Sequence, residues 1–120
     1  HINVVLVSKR FMAVKQEFKS FDDLVGGTEE PILVDFYADW CGPCQMMSKI
    51  LVEVGAEMKG EIKVVKIDTE KYPEIASQHQ IHALPTLLLF SKGESVDRIE
   101  GVLTAEQLVS RVRGVISGAA

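Results

Sequence analysis

Cys41 and Cys44 are the only cysteines in 120 residues, and only Gly42 and Pro43 separate them. A pair this close in the chain closes too small a loop to constrain the unfolded state much, so stapling is a poor account of it. Reversible redox chemistry is a better one. The helical pattern that begins at the pair places Cys41 just before a helix N-terminus. Unpaired N–H groups and the positive end of the helix dipole stabilise a thiolate there. Cys44 falls about one turn further in and is expected to be the less exposed of the two. The two sulfurs then take different roles: Cys41 attacks a disulfide in another protein, and Cys44 attacks the mixed disulfide and releases that protein reduced. A zinc site is the rival reading, but it needs two further ligands. No other cysteine exists, and His79 and His82 have two residues between them where zinc motifs have three to five. Both histidines read as surface or loop residues. Inert surface thiols, a third reading, leave Gly42-Pro43 at a strand-to-helix junction without a purpose.

Asp35 is the next residue that could do chemistry. It interrupts Ile32–Ala38, a segment otherwise apolar on both alternating faces. An ionised carboxylate buried without a partner costs several kcal/mol, so burial should raise its pKa. A carboxyl partly protonated near neutral pH suits proton exchange with the second thiol. The alternative is a structural carboxylate paired with Lys66, in the next predicted strand, or with a backbone donor. The two readings are compatible, since Lys66 could tune Asp35. Trp40, directly before the cysteines, reads either as a core aromatic or as part of an exposed docking surface. Pro85 marks the start of a strand, because proline is awkward inside one.

These residues need elements to hold them. Ile32–Ala38 has the pattern of a central strand covered on both sides. After Cys44, Met47, Ile50, Leu51, Val54 and Met58 recur with helical period, and Gly60 supplies the stop. Pro43 suits the first turn of that helix, where an N–H has no partner. Around this centre, Val14–Phe18 reads as a short strand. Ser20 caps a short helix that carries Asp22 and Asp23 in its first turn and ends at Gly26-Gly27. Ile62–Asp68 is a third strand and Pro73–His79 a short helix. Thr86–Phe90 and Ser95–Ile99 form a hairpin through Lys92-Gly93-Glu94. Thr104 caps the last helix, with Glu106 nearby and Leu103, Leu108, Val112 and Ile116 on its apolar side. The order β-α-β-α-β-α-β-β-α implies an α/β domain, a central mixed five-stranded sheet flanked by four helices.

Apolar residues make up 47% and charged residues 25%, the balance of an ordinary globular domain. Two cysteines exclude a disulfide-dense secreted scaffold. A net charge of -4 argues against nucleic acid or acidic membranes as partners. No apolar run approaches the roughly 18 residues of a membrane-spanning helix. Residues 1–13 read as an N-terminal extension and 14–120 as the domain. Ile2–Val7, apolar except for Asn3, is either a frayed extension or the stub of a removed targeting peptide. A monomer is expected.

Val34-Asp35-Phe36-Tyr37-Ala38-Asp39-Trp40-Cys41-Gly42-Pro43-Cys44 resembles the active-site signature of thioredoxins, and Ala83-Leu84-Pro85-Thr86 resembles the segment that carries their cis-proline. The resemblance extends from about Val14 to Ile116. It implies the thioredoxin fold and thiol–disulfide exchange without any cofactor beyond the Cys41–Cys44 couple. By the same resemblance, Cys41 attacks, Cys44 resolves and Asp35 assists proton transfer with Lys66 beside it. Gly42 and Pro43 match the dipeptide that accompanies a reducing potential. Trp40, Leu84 and Pro85 belong to the docking surface, with Pro85 facing the disulfide. Gly93 and Gly101 match glycines in the hairpin turn and after the last strand. Three positions depart from the pattern: Tyr37 replaces a common Trp, Gln80 a common glycine, and His82 a residue that is often arginine.

Within the family, Val65–Ala76 and Phe18–Leu24 resemble the y-type branch of plant and algal plastids. That implies a stromal protein reduced by a ferredoxin-dependent thioredoxin reductase and serving peroxiredoxins and methionine sulfoxide reductases. A bacterial-type cytoplasm is the alternative location. Two other functions compete: a disulfide oxidase or isomerase, whose middle dipeptide typically contains histidine, and a non-catalytic subunit in which the thiols are dispensable.

Overall fold

Six consecutive residues, Ile32–Tyr37, leave almost nothing for water, and the first five are fully buried. Such a segment must sit between other strands with helices on both faces. In the computed structural model, which describes residues 1–8 and 12–118, it does. The elements in chain order are β1 (Ile2–Ser8), β2 (Met12–Phe18), α1 (Phe21–Gly26), β3 (Ile32–Tyr37), α2 (Gly42–Glu57), β4 (Lys63–Asp68), α3 (Pro73–Gln78), β5 (Thr86–Ser91), β6 (Glu94–Glu100) and α4 (Ala105–Ile116). The sheet runs β2-β1-β4-β3-β5-β6. β3 is parallel to β4 and antiparallel to β5, and β5 turns back into β6.

Alternation along the strands sorts the core into two layers. Leu33, Val64, Leu87 and Leu89 face Met47, Leu51 and Val54 of α2 and Leu108 and Val112 of α4. Val34, Phe36, Ile67 and Leu88 face Phe21 and Leu24 of α1, and Ile75 and Tyr72 pack on that layer from the α3 side. The capping logic holds with small changes. Ser20 accepts from the Asp23 N–H at 3.1 Å. Thr104 forms a reciprocal capping box with Gln107, three residues on, and Glu106 lies beside it in the first turn. The buried side of α4 is Leu108, Val109 and Val112, whereas Ile116 is exposed in the last turn. Lys92 and Gly93 both have positive φ, 53° and 84°. That is the mirror-image turn that matches the twist of two strands joined by two residues.

Among the described residues the sheet has six strands, not the five expected, because Ile2–Ser8, read as part of an N-terminal extension, forms β1. β1 lies inside the sheet, paired along its whole length with β2, and through Val5, Leu6 and Val7 with Lys66, Val65 and Val64 of β4. Its alternation explains the placement. Ile2, Val4 and Leu6 join the layer beneath α1 and α3, and Val7 joins the layer beneath α2. A strand with apolar residues on both faces gains more from an interior position than from an edge. β2, with Lys15, Gln16 and Glu17 exposed, takes the edge instead.

Candidate active site

β3 ends at Tyr37, and after four intervening residues the chain enters α2 at Gly42. Cys41 is the N-cap of that helix and Pro43 lies in its first turn. The Cys41 N–H donates to the Ala38 carbonyl at 3.2 Å, and the Cys44 N–H donates to Cys41 Sγ, also at 3.2 Å. The sulfur of Cys41 therefore occupies the place where a helix start offers free N–H groups, which favours an anion. The two cysteines are joined as a disulfide, with Cα atoms 5.3 Å apart.

Both cysteines are buried, Cys41 with 5% and Cys44 with 3% of its surface exposed, so exposure hardly separates them. Direction does. Cys41 lines an open cleft of about 430 Å³, together with Trp40 and Pro43 from the helix side and Ile81, His82 and Leu84 from the segment after α3. Cys44 lines a smaller recess of about 130 Å³, with Tyr37, Asp39, Ser48 and Lys66. Trp40 is 69% exposed, which rules out the core-aromatic reading. Leu84 packs on the cluster of Ala38, Cys41 and Cys44. The Leu84–Pro85 peptide is cis, and the buried Pro85 carbonyl accepts from the Gly101 N–H at 3.0 Å. Gly42 and Pro43 are exposed at the start of α2.

Asp35 is fully buried on the face of β3 that α2 covers, as its alternation with Leu33 requires. Neither carboxylate oxygen has a hydrogen-bond partner. Burial pushes its pKa from 3.8 up to about 7, and the positive charge of Lys66 offsets part of that rise. Asp35 and Lys66 are partners in the parallel register, but no direct ion pair forms, contrary to the structural alternative raised from sequence. The Lys66 ammonium instead donates to Ser48 Oγ at 2.6 Å and lies 4.5 Å from the centre of the Tyr37 ring. Ser48 stands one helical turn after Cys44, on the same side of α2. Sequence reasoning missed Ser48, and the only available signal was its i, i+4 spacing from Cys44. His79 corrects another expectation. It caps α3 from a half-buried position, with its ring 4.9 Å from that of Phe21 and 5.8 Å from that of Phe90. His82 is exposed in the cleft. Among the described residues, no group of three or more His, Cys, Asp or Glu side chains is placed to hold a metal ion.

A central strand that hands over to a long helix through a Cys-x-x-Cys disulfide is the arrangement of a thiol–disulfide oxidoreductase. Known proteins narrow the class: the sequence profile named Thioredoxin matches residues 12–114, and the chain belongs to the thioredoxin family. It is 57% identical over 104 residues to thioredoxin Y1, chloroplastic, of Arabidopsis thaliana, covering 87% of this chain and 60% of that protein. It is 55% identical over 102 residues to a thioredoxin-like protein of Synechocystis sp., covering 85% of this chain and 97% of that protein. The chain thus spans nearly all of the cyanobacterial relative but less than two thirds of the plant one. Among solved structures, chloroplastic thioredoxin z superposes with a TM-score of 0.74 at 33% identity, over 80% of this chain and 87% of that one.

Proposed function

We propose that the protein reduces disulfides in other proteins, with Cys41 as the attacking sulfur, Cys44 as the resolving sulfur and Asp35 as the proton acceptor. The observation that carries this reading is the opposed orientation of the two cysteines. Cys41 opens onto the cleft at the helix start, and Cys44 turns toward the recess that holds Lys66 and Ser48. In the reduced protein the Cys41 thiolate attacks one sulfur of a target disulfide. The target's other sulfur leaves as a thiolate and takes up a proton. Cys44 then gives its proton to the Asp35 carboxylate and attacks Cys41 Sγ, and the second target sulfur departs. The target gains two electrons, and the protein ends in the disulfide form described above. With a pKa near 7, Asp35 is present as both carboxylate and acid at neutral pH, as a proton relay needs. Trp40 and Leu84 supply apolar contact in the cleft, and Pro85, joined to Leu84 by the cis bond, belongs to the same docking surface. Gly42, Pro43 and Lys66 tune the couple.

The likeness to thioredoxin Y of plants and to a cyanobacterial protein supports a place in a plastid stroma or a bacterial-type cytoplasm. From the resemblance to the y-type branch we further propose peroxiredoxins and methionine sulfoxide reductases as targets and a thioredoxin reductase, ferredoxin-dependent in a plastid, as electron donor. Insulin reduction with dithiothreitol as electron source tests the activity. Immobilised Cys44→Ser protein is expected to retain targets from a cell extract as mixed disulfides, whereas Cys41→Ser is not. Equal retention by both would overturn the division of roles.

A further inference from the structure

The cleft has two walls. The start of α2 anchors one. The other, formed by Ile81, His82 and Leu84, hangs on the end of α3, a helix of only six residues. That end closes on its own carbonyls: the His79 N–H donates to Ile75, the Gln80 N–H to Ser77 and the Ile81 N–H to Ala76. The chain reverses at Gln80, whose φ of 50° lies in the left-handed region that a non-glycine residue enters at a cost. The carbonyls of His79 and Gln80 are both taken by one side chain from the edge strand β6. Arg98 of β6 donates from one guanidinium nitrogen to the His79 carbonyl at 2.9 Å and from the other to the Gln80 carbonyl. Its third nitrogen donates to Glu100 at 3.2 Å. Arg98 is itself held, since Arg111 of α4 donates to its carbonyl at 3.2 Å and forms a two-pronged pair with Asp97 at 2.9 and 3.0 Å.

We propose that Arg98 is a positioning residue for target docking: its planar fork grips two successive carbonyls at the strained turn and thereby holds Ile81, His82 and Leu84 where a target backbone must lie. The inference rests on the proposed reduction of protein disulfides. A cation at a helix C-terminus is favourable in itself, but only the arginine fork can satisfy both carbonyls at once. Arg98 touches neither sulfur, so the clamp governs recognition of large substrates and leaves the reactivity of Cys41 alone.

The test compares two disulfides in single-turnover reactions of the pre-reduced protein. Insulin must lie along the cleft, whereas 5,5′-dithiobis(2-nitrobenzoate) needs only an accessible Cys41. Arg98→Gln is expected to slow insulin reduction about three- to ten-fold, the scale of losing one or two charge-assisted hydrogen bonds in part. The rate with the small disulfide should stay within about two-fold, an energy change under ~0.5 kcal/mol. Adding Gln80→Gly should recover most of the insulin rate, because glycine holds a positive φ without a clamp. Equal losses with both disulfides, an unchanged insulin rate, or no recovery by Gln80→Gly would each overturn the proposal. Should Arg98→Gln not fold, Arg98→Lys decides, since one ammonium serves one carbonyl: an intermediate loss confined to insulin supports the clamp, and wild-type rates refute it. A wild type that reduces the small disulfide but not insulin would instead remove the proposed function, and the clamp with it.

Discussion

Replacing Asp35 by Asn should change how stability depends on pH, and the structure sets the size and sign of the effect. The carboxyl is fully buried, both its oxygens lack partners, and its pKa rises from 3.8 to about 7. Between those values the unfolded chain has released the proton and the folded protein still holds it. The unfolded state therefore binds fewer protons, and stability falls as pH rises across that window. The slope is about 1.4 kcal/mol per pH unit. From pH 5 to pH 8 only the part below the folded pKa counts, about two units, so the wild type should lose about 3 kcal/mol that Asp35→Asn does not lose. Urea unfolding of both oxidised proteins at the two pH values measures the difference. The disulfide removes thiol titration from the comparison, and the other titrating groups are common to both proteins. The wild type should therefore lose ground relative to the variant as the solution becomes alkaline. Parallel pH curves would refute the reasoning by showing that Asp35 ionises as readily folded as unfolded. A wild type that gained stability would point to a strong partner for the carboxylate.

Lys66→Met removes the positive charge that opposes the burial of Asp35, so the carboxyl should titrate at higher pH than in the wild type, as read from its carbon NMR shift; an unmoved midpoint would mean that the Ser48-bound ammonium is screened from it. During insulin reduction, Asp35→Asn should lose more turnover at neutral than at alkaline pH, where Cys44 ionises without help, and a pH-independent loss would indicate structural damage instead. Leu51→Ala, at a fully buried position between α2 and the sheet, should cost about 2–5 kcal/mol in denaturant unfolding, and a loss under about 1 kcal/mol would mean that the core closes over the gap. Removing residues 1–8 should lower the melting temperature, by roughly 4 °C for each kcal/mol lost, because Ile2, Val4 and Val7 leave the core. An unchanged midpoint would mean that β2, which runs parallel to β4 because both are antiparallel to β1, closes the gap in its place.

Much of the molecule was readable from local pattern. The all-apolar run around Asp35 marked the central strand, the 3.6 period from Met47 to Met58 marked the helix, and Ser20 and Thr104 marked two helix starts within a residue. Each of these signals acts over a few neighbouring residues, by side-chain alternation or by satisfying the first free N–H groups of a helix. The position of Cys41 at the N-cap followed for the same reason, since it depends only on where a helix begins. The burial of Asp35 followed too, because its neighbours in the strand are all apolar.

What lay beyond reach was every choice that depends on residues far apart in the chain. Ile2–Ser8 carries strand residues, yet nothing local says that they slide between β2 and β4; that is decided by the apolar area exposed on β4 and on both helical layers. That Lys66 turns to Ser48 and not to Asp35 depends on α2 passing over β4, 18 residues away in sequence. The clamp of Arg98 on His79 and Gln80 spans 19 and 18 residues and exists only because β6 and the end of α3 meet on one face of the sheet. Chain order alone thus determined most of the strands and helices and the place of the cysteine pair at a helix start, since those depend on neighbours. Which groups face the buried acid, and what holds the second wall of the cleft, were settled only by packing, because a hydrogen bond takes whichever partner the folded layers bring within reach.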